Sequence, residues 1–228
     1  MSDSAPSPEL LRSLGRLVRG LSSLFWGLPL ALLVCAGTAI AGWFKAFGLP
    51  PLAATGLLLF GLWQLGSFQK QERPWRNALD GARLLAMINF GLTPFLYWWN
   101  RVPQNAFFSA AVGVFAVSAL LFLFSLNRVL LRLGAMLPDE ALRHETRQYT
   151  AMNQVLIAGV LLLAASYVAL ARVPELPDPI GALLVWLERG WFSSLVLLIL
   201  ILLPLAMTMA LIWKTKEVIL DSVFGAQH

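Results

Sequence analysis

The chain has 228 residues, 58% of them hydrophobic and only 13% charged, and its mean hydropathy is +0.72. Soluble domains carry about a quarter of their residues as charges, so an ordinary soluble enzyme is excluded and no length is left for a separate soluble domain. A net charge of +5 invites a nucleic-acid reading, but the basic residues sit beside apolar stretches, where anionic lipid attracts them; no nucleic-acid partner is expected.

Six stretches contain no Asp, Glu, Lys or Arg: 20–44, 46–69, 84–100, 102–127, 148–171 and 190–213. A helix needs roughly 20 residues to cross ~30 Å of hydrocarbon. The expected fold is therefore an all-α polytopic membrane bundle of six transmembrane helices, with short amphipathic interfacial helices added. Basic residues alternate between its two sides. One side holds Arg12, Arg16, Arg19, Lys70, Arg73, Arg76, Arg83, Arg128, Arg132, Arg143, Arg147, Lys214 and Lys216; the other holds only Lys45, Arg101, Arg172 and Arg189. The richer side faces the cytoplasm during insertion. Both termini are then cytoplasmic, in a multi-pass cell-membrane protein of bacterial inner-membrane type.

Residues 1–9, with three Ser and two Pro, read as a disordered tail. From Leu10 to Leu24, Leu10, Leu11, Leu14, Leu17, Val18 and Leu21 recur at helical spacing, with Arg12, Arg16 and Arg19 on the other face. Such a basic amphipathic segment suits the inner membrane surface or an inward extension of the first span, and the pattern leaves both open. The run that follows is too long for a signal-peptide core and reads as an uncleaved anchor.

The first span covers 24–44, with Ala31, Cys35, Ala39 and Gly42 as a small-residue face. Gly48-Leu49-Pro50-Pro51 predicts a tight turn into span two, 51–68, where Gly56, Gly61 and Gly66 share no face. Span three, 81–99, contains Asn89, Thr93 and Pro94. Pro94 has no N–H, which predicts a kink and a released carbonyl at Phe90. A turn at 100–104 leads to span four, 105–126. There Ala106, Ser109, Ala110, Gly113 and Ala116 form a stripe at spacings of three and four, expected to be a helix-packing seam.

Arg128 and Arg132 extend span four to Gly134, read as a break. Pro138-Asp139-Glu140 predicts a helix start, and no breaker follows before Ala171. One helix of about 50 Å at 1.5 Å per residue is expected, with span five at 152–171. Asp178-Pro179 predicts the cap of a short outer helix over 180–189. Span six, 190–213, contains Pro204, and 214–228 reads as a cytoplasmic tail. Trp26, Trp43, Trp63, Trp98, Trp99, Trp186, Trp191 and Trp213 fall near predicted interfaces, as amphipathic rings do.

The absence of charge within the spans bears on function, because proton relays, voltage sensors and coupled carriers commonly rely on intramembrane ionisable groups. His144-Glu145 begins a zincin pattern, but Gln148 stands where the second His belongs. With Cys35 the single cysteine, no disulfide, metal site or cofactor is expected. No catalytic residue is assigned either: Glu72, Asp80 and Glu188 lie near interfaces without a visible acid–base partner.

The polar residues of the spans are Thr38, Gln64, Asn89, Thr93, Asn153, Gln154, Ser166, Tyr167 and Thr208. They suit interhelical hydrogen bonding. The sharper alternative is a polar pocket between spans two, three and five, built from Gln64, Asn89, Thr93, Pro94 and Asn153, with the Phe90 carbonyl offered to a ligand. The expected function is a structural or accessory membrane component that binds other membrane proteins, a second copy of itself, or lipids. Arg12, Arg16, Arg19, Arg128, Arg132, Arg143 and Arg147 are the candidate contacts for anionic lipid or a partner. The alternative is a transporter or channel for a neutral or lipid-like solute.

Overall fold

The computed structural model describes residues 8–41, 49–68, 71–136, 140–170 and 191–224, and these contain helices and turns without a strand. In chain order the helices are α1 (Pro8–Ala36, ending in a π-helical turn, Gly37–Ala41), α2 (Leu49–Leu65), α3 (Arg73–Leu92), α4 (Pro94–Arg101), α5 (Ala106–Met136), α6 (Glu140–Leu170) and α7 (Trp191–Phe224). Among the described residues, four segments are long and apolar enough to cross a membrane: Arg12–Ala41, Ala106–Met136, Arg143–Leu170 and Leu198–Asp221. The apolar helix α2 is shorter, at 17 residues. α3 carries charge in its first half and ends at Thr93, where α4 takes over.

α5 lies at the centre, against α3, α4, α6 and α7, while α1 packs on α2 and α7. The first helix shows why. Leu17, Leu21, Leu24, Leu28, Ala31 and Val34 recur every three or four residues and all are buried, so one continuous apolar face seals against the bundle. Arg12, Arg16 and Arg19 are exposed on the opposite side. The segment 10–24 thus follows the inward-extension reading, as part of one helix that already begins at Pro8, inside the expected tail.

Two glycines let α1 and α2 cross backbone to backbone. A Cβ on Gly20 would stand 2.8 Å from the Gly61 carbonyl oxygen, and one on Gly61 would stand 3.0 Å from that of Gly20. Only hydrogen fits between them. At the far end of α2 the last carbonyls need donors. Gly66 and Phe68 N–H bond to the Trp63 and Leu65 carbonyls at 3.1 Å each. Ser67 Oγ donates to Gln64 O at 2.9 Å. From α3, Arg83 Nη2 donates to Leu62 O at 3.2 Å, bringing positive charge to the negative end of the helix dipole. Trp75, wholly buried, donates its indole N–H to Phe68 O at 3.1 Å and closes the turn.

Several local expectations are corrected. Leu49, Pro50 and Pro51 form the first turn of α2, where proline's missing N–H costs nothing. Gly134 does not break α5, which continues to Met136; it makes room for Thr146 of α6, whose atoms would lie 3.3–3.5 Å from a Cβ there. Residues 214–224 continue α7 as helix past Lys214. The stripe Ala106, Ser109, Ala110, Gly113 and Ala116 is exposed along its whole length, and a Cβ on Gly113 would meet nothing within 4 Å. Ser109 alone has a polar contact to another described helix, accepting the Trp99 indole N–H of α4 at 3.2 Å; the rest of the stripe stays open. The small residues that do pack on α5 lie on α3: Ala82 and Ala86 are buried, and a Cβ on Gly81 would lie 3.6 Å from Ser125 Oγ.

Other expectations hold. α6 is one unbroken helix from Glu140 to Leu170, and the helix expected to kink at Pro94 divides there. Trp43, Trp186 and the outer helix expected over 180–189 lie outside the described residues.

Candidate functional site: a polar seam between three helices

Asn127 of α5, Asn153 of α6 and Thr208 of α7 are all fully buried. Each comes inward for a sequence reason. On α6, Thr146, Thr150, Asn153 and Ile157 recur every three or four residues and form its buried face. On α7, Met207, Thr208, Leu211, Ile212 and Thr215 do the same, and on α5 so do Leu123, Leu126, Asn127 and Leu130.

Thr208 is the hub. Its hydroxyl donates to Pro204 O at 2.8 Å and lies 2.9 Å from both Asn127 Nδ2 and Asn153 Nδ2. One donor and two acceptor positions complete a hydroxyl's capacity. Asn127 Nδ2 also donates to Leu123 O at 2.8 Å, and Asn153 Nδ2 donates to Pro204 O at 3.1 Å. Both amide groups therefore use their donors on the protein. Three of these bonds cross between helices. At ~0.6 kcal/mol each, the average in membrane mutational data, they contribute about 2 kcal/mol.

The acceptor side is different. Asn127 Oδ1, Asn153 Oδ1, Thr146 Oγ1 and Thr150 Oγ1 are buried with no hydrogen-bond partner among the described residues. Each such group costs about 1–3 kcal/mol if left so. Beyond Thr146 the seam ends at an ion pair between Glu145 of α6 and Lys214 of α7, both partly exposed.

A second buried polar contact joins α2 to α3. Thr55 Oγ1 and Thr93 Oγ1 lie 3.2 Å apart. Thr93 Oγ1 is also 2.7 Å from Asn89 O and 3.0 Å from Phe90 O. Phe90 is where Pro94 withdraws a backbone donor. The single Thr93 hydroxyl hydrogen is thus shared between the Asn89 and Phe90 carbonyls, which gives the Phe90 carbonyl a donor within its own helix break. Asn89 is buried beside this break with Oδ1 unpartnered, as is Ser118 Oγ of α5.

The five residues of the expected pocket are thus divided. Asn89, Thr93 and Pro94 sit at the α3–α4 break, with Thr93 touching α2. Asn153 bonds to Pro204 O and Thr208 of α7, while half-buried Gln64 stands beside Gly20 at the α1–α2 crossing. All seven candidate arginines, Arg12, Arg16, Arg19, Arg128, Arg132, Arg143 and Arg147, are exposed. Arg128 lies over the Phe124 ring at 5.5 Å, and Arg143 Nη2 donates to Ala135 O at 3.5 Å.

Sequence reasoning missed Asn127, Thr146, Thr150, Thr55 and Ser118. Asn127 abuts Arg128 just past the assigned span, and Thr146 sits between Glu145 and Arg147, so both looked like solvated chain. The spacing 146, 150, 153 and 157 was the available signal. In comparisons with protein-family models, curated proteins and solved structures, the chain finds no match, so the functional reading rests on its own residues.

Proposed function

We propose that this protein is a six-span accessory component of a cell membrane, with both termini in the cytoplasm, that works by associating with other membrane proteins or with a second copy of itself. The reading is carried by the direction in which the span residues of α5 face. Its polar group Asn127 turns inward and bonds within the bundle, whereas the stripe Ala106, Ser109, Ala110, Gly113 and Ala116 turns outward. Small outward faces let a neighbouring helix approach closely, which is how helices associate in lipid. α2 and the broken α3–α4 pair supply the second and third crossings, alongside the four longer helices.

The exposed arginines support a second element of the reading, contact with anionic headgroups on the cytoplasmic side. A solute pathway is less well supported, because the polar residues suggested for it do not converge. Native mass spectrometry after extraction in mild detergent tests the proposal. A retained partner or dimer, lost on Gly113→Leu, is expected. A strictly monomeric particle carrying nothing contradicts it.

A further inference from the structure

Four fully buried oxygens follow one antiparallel seam. Gly134 of α5 faces Thr146 of α6, and seven residues further along each helix Asn127 and Asn153 meet through Thr208. Thr150 lies between, so Thr146 Oγ1, Thr150 Oγ1, Asn153 Oδ1 and Asn127 Oδ1 are distributed over about 10 Å at 1.5 Å per residue. None has a hydrogen-bond partner among the described residues.

The donor inventory fixes the chemistry of what fits. The Asn127 amide donates to Leu123 O and Thr208 Oγ1, and the Asn153 amide donates to Pro204 O and Thr208 Oγ1. Their carbonyls can only accept. The guest must therefore donate hydrogen bonds there, while exchanging them freely with the two threonine hydroxyls. No carboxylate belongs to this set, which disfavours a bare cation in a low-dielectric interior. Water has two donors and two acceptors, and a buried water typically makes about three hydrogen bonds to protein groups.

We propose that the α5–α6–α7 seam is a hydration site: ordered water is held by the carbonyls of Asn127 and Asn153 and by the Thr150 hydroxyl. It continues through Thr146 to the Glu145–Lys214 ion pair at the basic end of the bundle. The site makes a wetted file from that end to the depth of Pro204, and it stands independently of the association reading.

Radiolytic hydroxyl-radical labelling of the full chain in lipid nanodiscs, run in heavy-oxygen water, tests this. Radicals born from bound water mark the sulfur beside it. Met207 neighbours Thr208 and is 8% exposed, while Cys35 of α1, 7% exposed, serves as the dry reference. The site predicts labelling of Met207 several-fold faster than Cys35, and a drop to the Cys35 rate in Thr150→Val and in Asn153→Leu. Equal rates in the unmodified protein overturn the proposal without recourse to a variant. A fast Met207 rate that both variants leave unchanged overturns it as well.

Discussion

Thr208 joins three helices through one oxygen, and its removal is a residue-scale test of the seam. Valine keeps the shape and deletes the hydroxyl, leaving one hydrogen on each of Asn127 Nδ2 and Asn153 Nδ2 without its acceptor. Thr208→Val is expected to destabilise the protein by about 1–3 kcal/mol. Thr215 is the matched control: equally buried, it bonds only to Leu211 O of its own helix, at 2.7 Å. Thr215→Val should cost under about 0.5 kcal/mol, since no partner on another helix is orphaned. Unfolding titrations in mixed micelles measure both. A second residue-scale test concerns the end of α2. A Cβ on Gly66 would lie 1.8 Å from Arg83 Nη2, so Gly66→Ala must push the guanidinium off Leu62 O. Gly66→Ala and Arg83→Met should each cost about 1 kcal/mol by losing the same cap. The double variant should cost clearly less than their sum, because the two changes remove one interaction.

At the scale of elements, glycine has opposite meanings at two helix faces. Gly20 touches the Gly61 backbone, which cannot yield as a side chain tip can. Gly20→Ala is expected to separate α1 from α2 and cost about 1–3 kcal/mol. Gly113 meets nothing, so Gly113→Ala should be neutral or stabilise α5 by about 0.5–1 kcal/mol through helix propensity. Thermal unfolding of the two variants checks the contrast. The same pair shows what was legible in the sequence. Charge-free runs report where apolar helices lie, so α5, α6 and α7 were readable, as was the break at Pro94, but α5 runs on past Gly134 and α7 past Lys214. Which face meets which neighbour depends on pairs of residues distant in the chain. A lone helix cannot distinguish the buried face of α3 from the outward stripe of α5, since both are rich in small residues. The Gly20–Gly61 crossing and the Asn127–Thr208–Asn153 junction arise only when two or three helices are set in register. Asn89, Thr93, Asn153 and Thr208 were therefore visible as polar span residues, but none of the site's geometry was.

On the scale of the whole molecule, the basic residues and the polar seam belong to the same end of the bundle. Arg132 near the end of α5, Arg143 and Arg147 at the start of α6, and Lys214 late in α7 all adjoin the Gly134–Thr146 contact or the Glu145–Lys214 pair. Positive charge gathered at one end resists translocation across the bilayer, so that end is expected on the cytoplasmic side of a six-span protein. The opposite end holds the turn between α4 and α5, where Asn105 Oδ1 accepts the Phe107 N–H at 2.9 Å and starts the return helix. Orientation and span number together decide whether the seam opens inward and which residues can meet a partner on either side. Single cysteines placed at Arg76, Gln104, Glu140 and Asp178 in a Cys35→Ala background, probed on intact cells with a membrane-impermeant thiol reagent, test this most directly. The predicted result is labelling at 104 and 178 and protection at 76 and 140 until the membrane is permeabilised. Labelling at 140 from the outer face contradicts the six-span arrangement.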